Sequence, residues 1–456
     1  MKIIIIGCGI SGCTAYLQLK KHVPRASEQE IKIYEAYDTN INTTDEDRDG
    51  QLHSSTLIVG GGLGLFPNGL NVLKRLDESG GTLRDIVSGG YAIAHQDLKT
   101  KNGSLLARMD CTAYVPANRP GQDKMHMLAT SRHSLWRALR RRIPDRDILK
   151  RRVSKVVASE NGMNEVYFAD DAPPVRADLV IGADGVKGVT KLALFPGQEE
   201  IYRPEYQGLV GVGGFISTEE VKGLVEKGTM SLLFGGNGFF GYFFSNSSLS
   251  TPDQDSPYHV SELGESLGWW STYTADECPD PKTLDMDAVA NQLRERHATW
   301  KDPSVYPTWT SPQLPTWESD GVVLVGDAAH ALPSSSGQGS SQALEDVEAF
   351  AMLLAHELRC KYQDGDDFPD IMSYKRAIAT AARGYMEIRR PRVQMILGNA
   401  QRMQNNKREM GVIVEYMLYI VLWIFGCFPA IMARSLKSVI EYDISEEIQE
   451  FTERQT

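Results

Sequence analysis

The chain is short of positive charge, of paired cysteines and of internal repetition, and each shortage closes off a class of function. Its 456 residues carry 48 Lys and Arg against 59 Asp and Glu, a formal net charge of −11. No clustered basic stripe offsets that balance, so the chain does not read as a nucleic-acid binder, since phosphate backbones select basic faces. The six cysteines, Cys8, Cys13, Cys111, Cys278, Cys360 and Cys427, form no C-x-x-C pair and no metal-ligand spacing. They read as reduced thiols packed like small apolar residues, with no metal expected. No repeat is evident. Met1 and Lys2 run straight into an apolar strand pattern, so no secretory leader is expected and the location reads as cytoplasmic.

Long apolar runs are also scarce. Tyr416 to Ala433 carries no formal charge and has the length a bilayer crossing needs. It also contains Gly426 and Pro429, with Glu415 at its edge. A helix docked on the protein and a membrane-associated segment both stay open.

What is present is glycine in three telling places. Gly7-Cys8-Gly9-Ile10-Ser11-Gly12 follows the apolar run Ile3 to Ile6, and Glu35 closes a second run, Ile31 to Tyr34. Strand, glycine turn, helix, strand and then an acid is the order that a dinucleotide needs. Gly7 serves the tight turn, Gly9 the close approach of a pyrophosphate, and Gly12 the contact of helix on strand. The expected helix from Ile10 to Lys20 points its positive end at the phosphates. The second place is Gly182-Ala183-Asp184-Gly185 and the third is Gly326-Asp327-Ala328-Ala329-His330.

Between these motifs the pattern is mixed. Asp38 to Gly50 reads as a surface loop, and Gly60-Gly61-Gly62-Leu63-Gly64 as backbone lying against a planar ligand or a mobile loop. Leu70, Leu73 and Leu76 share one helical face. Ser131 is placed to cap a helix whose apolar side holds Trp136 and Leu139, with Arg140 to Arg142 at its solvated end. Val153 to Val157 and Val166 to Phe168 suggest a hairpin before the strand Leu179 to Ile181. From Tyr202 to Trp309, short aromatic and glycine-rich runs suggest an inserted antiparallel sheet. Val322 to Val325 returns to the first unit, and long helices follow over Ser341–His356 and Tyr374–Asn405.

The three motifs in this order resemble the group A flavoprotein monooxygenases, the family of para-hydroxybenzoate hydroxylase, over Met1 to about Arg390. The resemblance implies an α/β fold: a Rossmann-like FAD-binding domain of the GR2 type, an inserted antiparallel β-sheet substrate domain and a C-terminal helical segment. The implied division gives 1–75, 100–200 and 310–350 to FAD, 76–99 and 201–309 to substrate, and 351–456 to the helical region. By resemblance, Gly7, Gly9, Gly12 and Glu35 hold the ADP half of FAD. Asp184, in the motif Asp178 to Gly185, serves FAD and NAD(P)H, and Asp327 holds the ribityl chain. Pro333, Gly337, Gln338 and Gly339 match the stretch that follows, and Arg132 matches an arginine contacting the flavin's chain. Amides of Gly337 to Gly339, at a helix start, suit the anionic reduced ring.

The implied activity is that of an NAD(P)H- and O2-dependent monooxygenase, EC 1.14.13-like, acting through a flavin C4a-hydroperoxide. It hydroxylates or epoxidises an apolar aromatic or polycyclic small molecule in secondary metabolism. Phe240, Tyr242, Phe244, Trp269 and Trp270 offer an aromatic wall, with Tyr242 the candidate catalytic contact to substrate. Two departures from the family pattern stand out. Tyr206-Gln207-Gly208 leads to Gly213-Gly214 with no arginine, which weakens a phenolate-activating reading. Val186-Lys187-Gly188-Val189 replaces the usual serine and arginine after the second motif. The alternatives are an FAD-dependent reductase of the geranylgeranyl reductase type and a non-catalytic dinucleotide-binding regulator. A flavin halogenase is disfavoured by the missing Trp-x-Trp-x-Ile-Pro signature.

Overall fold

The computed structural model describes residues 1–41, 62–77, 79–114, 123–221, 223, 225–235, 238–250, 254–279, 285–297, 304–333, 336–363, 370–405 and 410–455. Gly60, Gly61 and the loop expected up to Gly50, from residue 42 onward, lie outside them.

A six-stranded sheet organises the nucleotide half. Its order is Glu318–Ser319, Val322–Leu324, Leu179–Gly182, Lys2–Ile6, Glu30–Glu35 and Ile148–Lys150. All pairings are parallel except the first, a short antiparallel ribbon. Parallel strands covered on both faces need apolar side chains throughout, and Ile3 to Ile6 are at most 4% exposed. The helices Ile10–His22 and Gly339–Gln363 bury Leu19, Leu344 and Phe350 in the same core as those strands. The strands and helices read from the sequence are therefore present, the tail helix running Ile371–Asn405.

Three adjacent parallel strands, Val322–Leu324, Leu179–Gly182 and Lys2–Ile6, each end in one of the three glycine motifs. Parallel strands share a direction, so all three turns emerge at one edge of the sheet. In open α/β sheets that carboxyl edge is where ligands sit.

A seven-stranded sheet forms the second half, in the order Ser304–Thr310, Glu205–Ser217, Ser266–Thr274, Gly238–Phe244, Thr229–Gly235, His95–Thr100 and Leu105–Asp110. It is antiparallel except where Thr229–Gly235 runs parallel to His95–Thr100. Two of its strands come from far upstream. Leu105–Asp110, which a boundary at residue 100 leaves with the nucleotide unit, hydrogen-bonds into this sheet. The hairpin Val153–Val157 with Asn164–Phe168 gains a third strand, Val175–Ala177.

The charge-free stretch Tyr416–Ala433 falls in two helices, Val412–Cys427 and Pro429–Ile440, broken where proline cannot continue the first. Among the described residues no helix is long and apolar enough to cross a membrane. One face of the first helix is docked. Tyr419 Oη donates to the Phe234 carbonyl at 2.7 Å, and Glu415, 2% exposed, pairs with Lys101 at 2.9 Å. Gly426 sits so close that a Cβ there would lie 2.4 Å from the Leu106 carbonyl oxygen. The other face is open, with Ile413 78% and Trp423 58% exposed.

Candidate functional site

The first turn is built around two contacts that admit no side chain. Gly7 has φ +99°, and a Cβ there would lie 2.5 Å from the Ala183 carbonyl oxygen. A Cβ on Gly12 would lie 1.9 Å from the Gly7 carbonyl oxygen. Gly9 differs: nothing lies within 4 Å of its Cβ position. It precedes the helix Ile10–His22, whose start has neither a side-chain cap nor an acid in its first turn. A helix start with free N–H groups facing open space fits an anion.

Glu35 is brought to this turn as expected from its spacing. Its carboxylate accepts from the Cys8 amide at 2.6 Å and the Tyr37 amide at 3.0 Å. The Cys8 carbonyl in turn accepts from the Trp136 indole N–H at 2.7 Å. Cys8 and Cys13 are buried with their sulfurs 3.6 Å apart, both free thiols. Ser131 caps the helix Arg132–Arg140 through the Ser134 amide at 3.0 Å, which sets Arg132 at the helix start.

The second turn packs on the first, because Gly7 faces Ala183 and Asp184. The Asp184 carboxylate turns back into its own loop, accepting from Thr190 N–H at 2.9 Å and Thr190 Oγ1 at 2.8 Å. Its other oxygen is buried without a partner, and burial raises its pKa above the usual carboxylate range. Gly188 makes room for it: a Cβ there would meet Asp184 at 2.2 Å.

The third turn closes the group. A Cβ on Gly326 would lie 2.5 Å from Ser11 Oγ in the first helix. Asp327 is exposed to solvent, with protein packed around the base of its turn. That crowding raises its pKa, against the pull of Arg132 and His330. Pro333 is buried; its carbonyl accepts from Ser336 Oγ at 2.9 Å, and Ser336 Oγ accepts from the Gln338 amide at 3.1 Å. Gly337 has φ +60° and lies beside Phe66, and Gly339 opens the helix Gly339–Gln363 with nothing within 4 Å of its Cβ position.

Sequence reading missed a set of buried polar groups behind this turn. Asn68 Nδ2 donates to Gln338 Oε1 at 3.1 Å and to Glu345 Oε1 at 2.5 Å, and Asn68 is 2% exposed. Its Oδ1 has no partner. The only sequence signal was a polar residue beside Pro67 at a helix start.

Tyr242 stands apart from these turns. Alternation along Gly238–Phe244 puts Phe239, Gly241 and Phe243 on one face and Phe240, Tyr242 and Phe244 on the other. The first face meets the strand Gly62–Leu65, since a Cβ on Gly62 would lie 2.2 Å from the Phe243 ring. Trp270 covers Gly241 on that face, 5.7 Å from Phe243 and 5.8 Å from Phe239. Tyr242 faces Ser231 and Lys99 instead, with the Lys99 ammonium 5.9 Å from its ring. The five aromatics thus do not form one wall, because a pleat divides neighbours. Lys187, in place of the usual arginine, lies 3.8 Å over the Trp309 ring at the sheet's edge strand.

Two open helix starts, glycine contacts without room for side chains, and orphaned acceptors beside them fit a dinucleotide of the FAD type. A family model described as "FAD binding domain" matches residues 150–365. The FAD-dependent monooxygenase penM of Penicillium crustosum is 21% identical over 74% of this chain and 68% of its own length. Salicylate hydroxylase of Pseudomonas putida is 23% identical over 78% of this chain and 76% of its own. Klebsiella pneumoniae HpxO, solved with FAD and uric acid, shares the fold with a TM-score of 0.67 at 18% identity, over 96% of this chain and 97% of that one.

Proposed function

We propose, from the premise that the chain is an FAD-dependent monooxygenase of the group A flavoprotein type, that it oxygenates a neutral aromatic or polycyclic small molecule. The observation that carries this reading is the convergence of three glycine turns at one edge of three parallel strands, beside an aromatic sheet. FAD, when bound, would supply the redox and oxygen-transfer chemistry, with NAD(P)H as the source of reducing equivalents. The chain's own part is to bind, orient and exclude water.

In this reading Gly9 and the start of Ile10–His22 receive the pyrophosphate, and Glu35, now on the Cys8 amide, exchanges that bond for a ribose hydroxyl. Asp327 and Arg132 bracket the linking chain. Gly337 and Gly339 present amides to the ring, the Gln338 amide, now on Ser336 Oγ, joins them by exchanging that bond, and Pro333 sets their turn. Asp184 shapes the second turn through Thr190 rather than by direct contact. Phe239, Phe243 and Trp270 replace Tyr242 as the wall toward the cofactor, because they share the face that meets Gly62–Leu65. Apolar rings there favour an acceptor without charge. The domain division at residues 75, 100, 200, 310 and 350 is proposed with the strand Leu105–Asp110 moved to the substrate unit.

Purified protein is expected to be yellow and to consume about one O2 per NAD(P)H oxidised, faster when an acceptor is added. NAD(P)H oxidation without oxygen uptake, measured with an oxygen electrode, selects the reductase alternative. A finer part of the proposal is that the open apolar face of Val412–Cys427 rests on a membrane surface without crossing. The full chain is then expected to float with neutral phosphatidylcholine vesicles, and Trp423→Asp to abolish flotation. A wild-type chain that stays at the bottom of the gradient rejects it.

A further inference from the structure

We propose that Arg389 is a positioning residue for the cofactor, fixing two cofactor-facing turns at once through Glu345 and Asp346. This rests on assigning Asp327 and Gly337–Gly339 to FAD.

Arg389 lies on the helix Ile371–Asn405 and is 0% exposed. Its guanidinium divides among three partners on the helix Gly339–Gln363. Nη1 donates to Glu345 Oε2, Nε donates to Asp346 Oδ1 at 2.8 Å, and Nη2 donates to Gln342 Oε1 at 2.6 Å. A planar fork with donors on three nitrogens can hold two carboxylates in fixed relation, which a lysine cannot.

Each carboxylate then passes its position on. Asp346 Oδ2 accepts from the Gly326 amide at 3.1 Å and is 2.5 Å from His330 Nε2, so it grips both ends of the turn that presents Asp327. Glu345 Oε1 accepts from Asn68 Nδ2 at 2.5 Å and from Gln342 Nε2 at 3.2 Å. Both of those nitrogens also donate to Gln338 Oε1, each at 3.1 Å. The amide orientation of Asn68 follows from chemistry. Reversed, its oxygen would face the Glu345 carboxylate, and two acceptors repel. Glu345 is held charged, its pKa lowered by Arg392 and Arg389 against burial.

The two arms are not equal. Arg392 also holds Glu345, at 2.8 and 3.0 Å, and is itself anchored on the Val439 carbonyl at 2.8 Å. Asp346 Oδ1 has no second guanidinium among the described residues; Arg389 holds it, and Tyr385 also hydrogen-bonds to Asp346. Loss of Arg389 therefore frees the Asp327 turn more than the Gln338 turn.

A purely structural ion cluster would stabilise the fold without touching the flavin, and that is what the test separates. Deflavinated wild type, Arg389→Lys and Asn68→Ala are titrated with FAD by fluorescence quenching, and the bound flavin's visible spectrum and midpoint potential are recorded. Apo-protein unfolding is followed in parallel by circular dichroism. Asn68→Ala leaves every ion pair in place, so it answers even if the arginine variant does not fold. Both variants are expected to weaken FAD binding roughly tenfold, the size of one lost hydrogen bond, and to shift the flavin spectrum. Wild-type affinity, spectrum and potential in Asn68→Ala overturn the inference. A wild-type chain that takes up no FAD removes the flavin assignment itself, and this inference with it.

Discussion

Alanine at Gly12 is expected to cost about 4 kcal/mol of stability or more and to leave no bound flavin. The added Cβ would stand 1.9 Å from the Gly7 carbonyl oxygen and 2.9 Å from its carbon. Neither atom belongs to a flexible side chain, so the helix Ile10–His22 must lift off its strand or the turn must open. Gly9→Ala supplies the contrast. Its backbone is extended, φ −74° and ψ −168°, which alanine adopts without strain, and nothing lies within 4 Å of the new carbon. Its stability is expected to stay within about 1 kcal/mol of wild type, while FAD affinity falls because the methyl takes the pyrophosphate's place. Urea midpoints and FAD titrations on both variants check this. Equal destabilisation of the two would show that the turn is not shaped by the contacts described.

Truncating Trp136 to alanine is expected to cost about 3–5 kcal/mol, the usual range for a large buried ring. Trp136 is 1% exposed and its indole donates to the Cys8 carbonyl inside the glycine turn. Trp136→Phe keeps most of the volume and removes the donor. It is expected to cost less, about 1–3 kcal/mol for a buried carbonyl left without a full partner, and to weaken FAD binding as the turn relaxes. The Cys13 thiol, 3.4 Å from the same carbonyl, is too weak a donor to replace the indole. Thermal unfolding with and without FAD distinguishes the two contributions. A phenylalanine variant with unchanged FAD affinity would mean that the indole serves packing alone.

The nucleotide half was legible because its signals are local. Strand, glycine turn, helix and acid each occupy a few residues, and Glu35 lands on the Cys8 amide because a βαβ unit has a fixed length. Ser131 as a cap was equally local. The sheet half was read as strands but not as faces. Tyr242 and Trp270 look alike on paper, and only the pairing of Tyr242 with Trp269, one residue off, separates them. Leu105–Asp110 was hidden by distance, since it joins the sheet only through His95–Thr100, whose own parallel partner lies more than a hundred residues downstream. The tail was ambiguous by composition. Phe428–Pro429 and a buried Glu415 settled it as two short docked helices.

Sequence alone determined where the three glycine turns fall, because glycine positions encode where one stretch of backbone must approach another. Tertiary structure alone decided which aromatic rings share a face of the second sheet and which buried charges meet behind the glycine turns. A pleat's register and a guanidinium's reach join residues such as Asn68, Glu345 and Arg389, which are far apart in the chain. No local pattern records such pairs, since their energy exists only once the helices have packed.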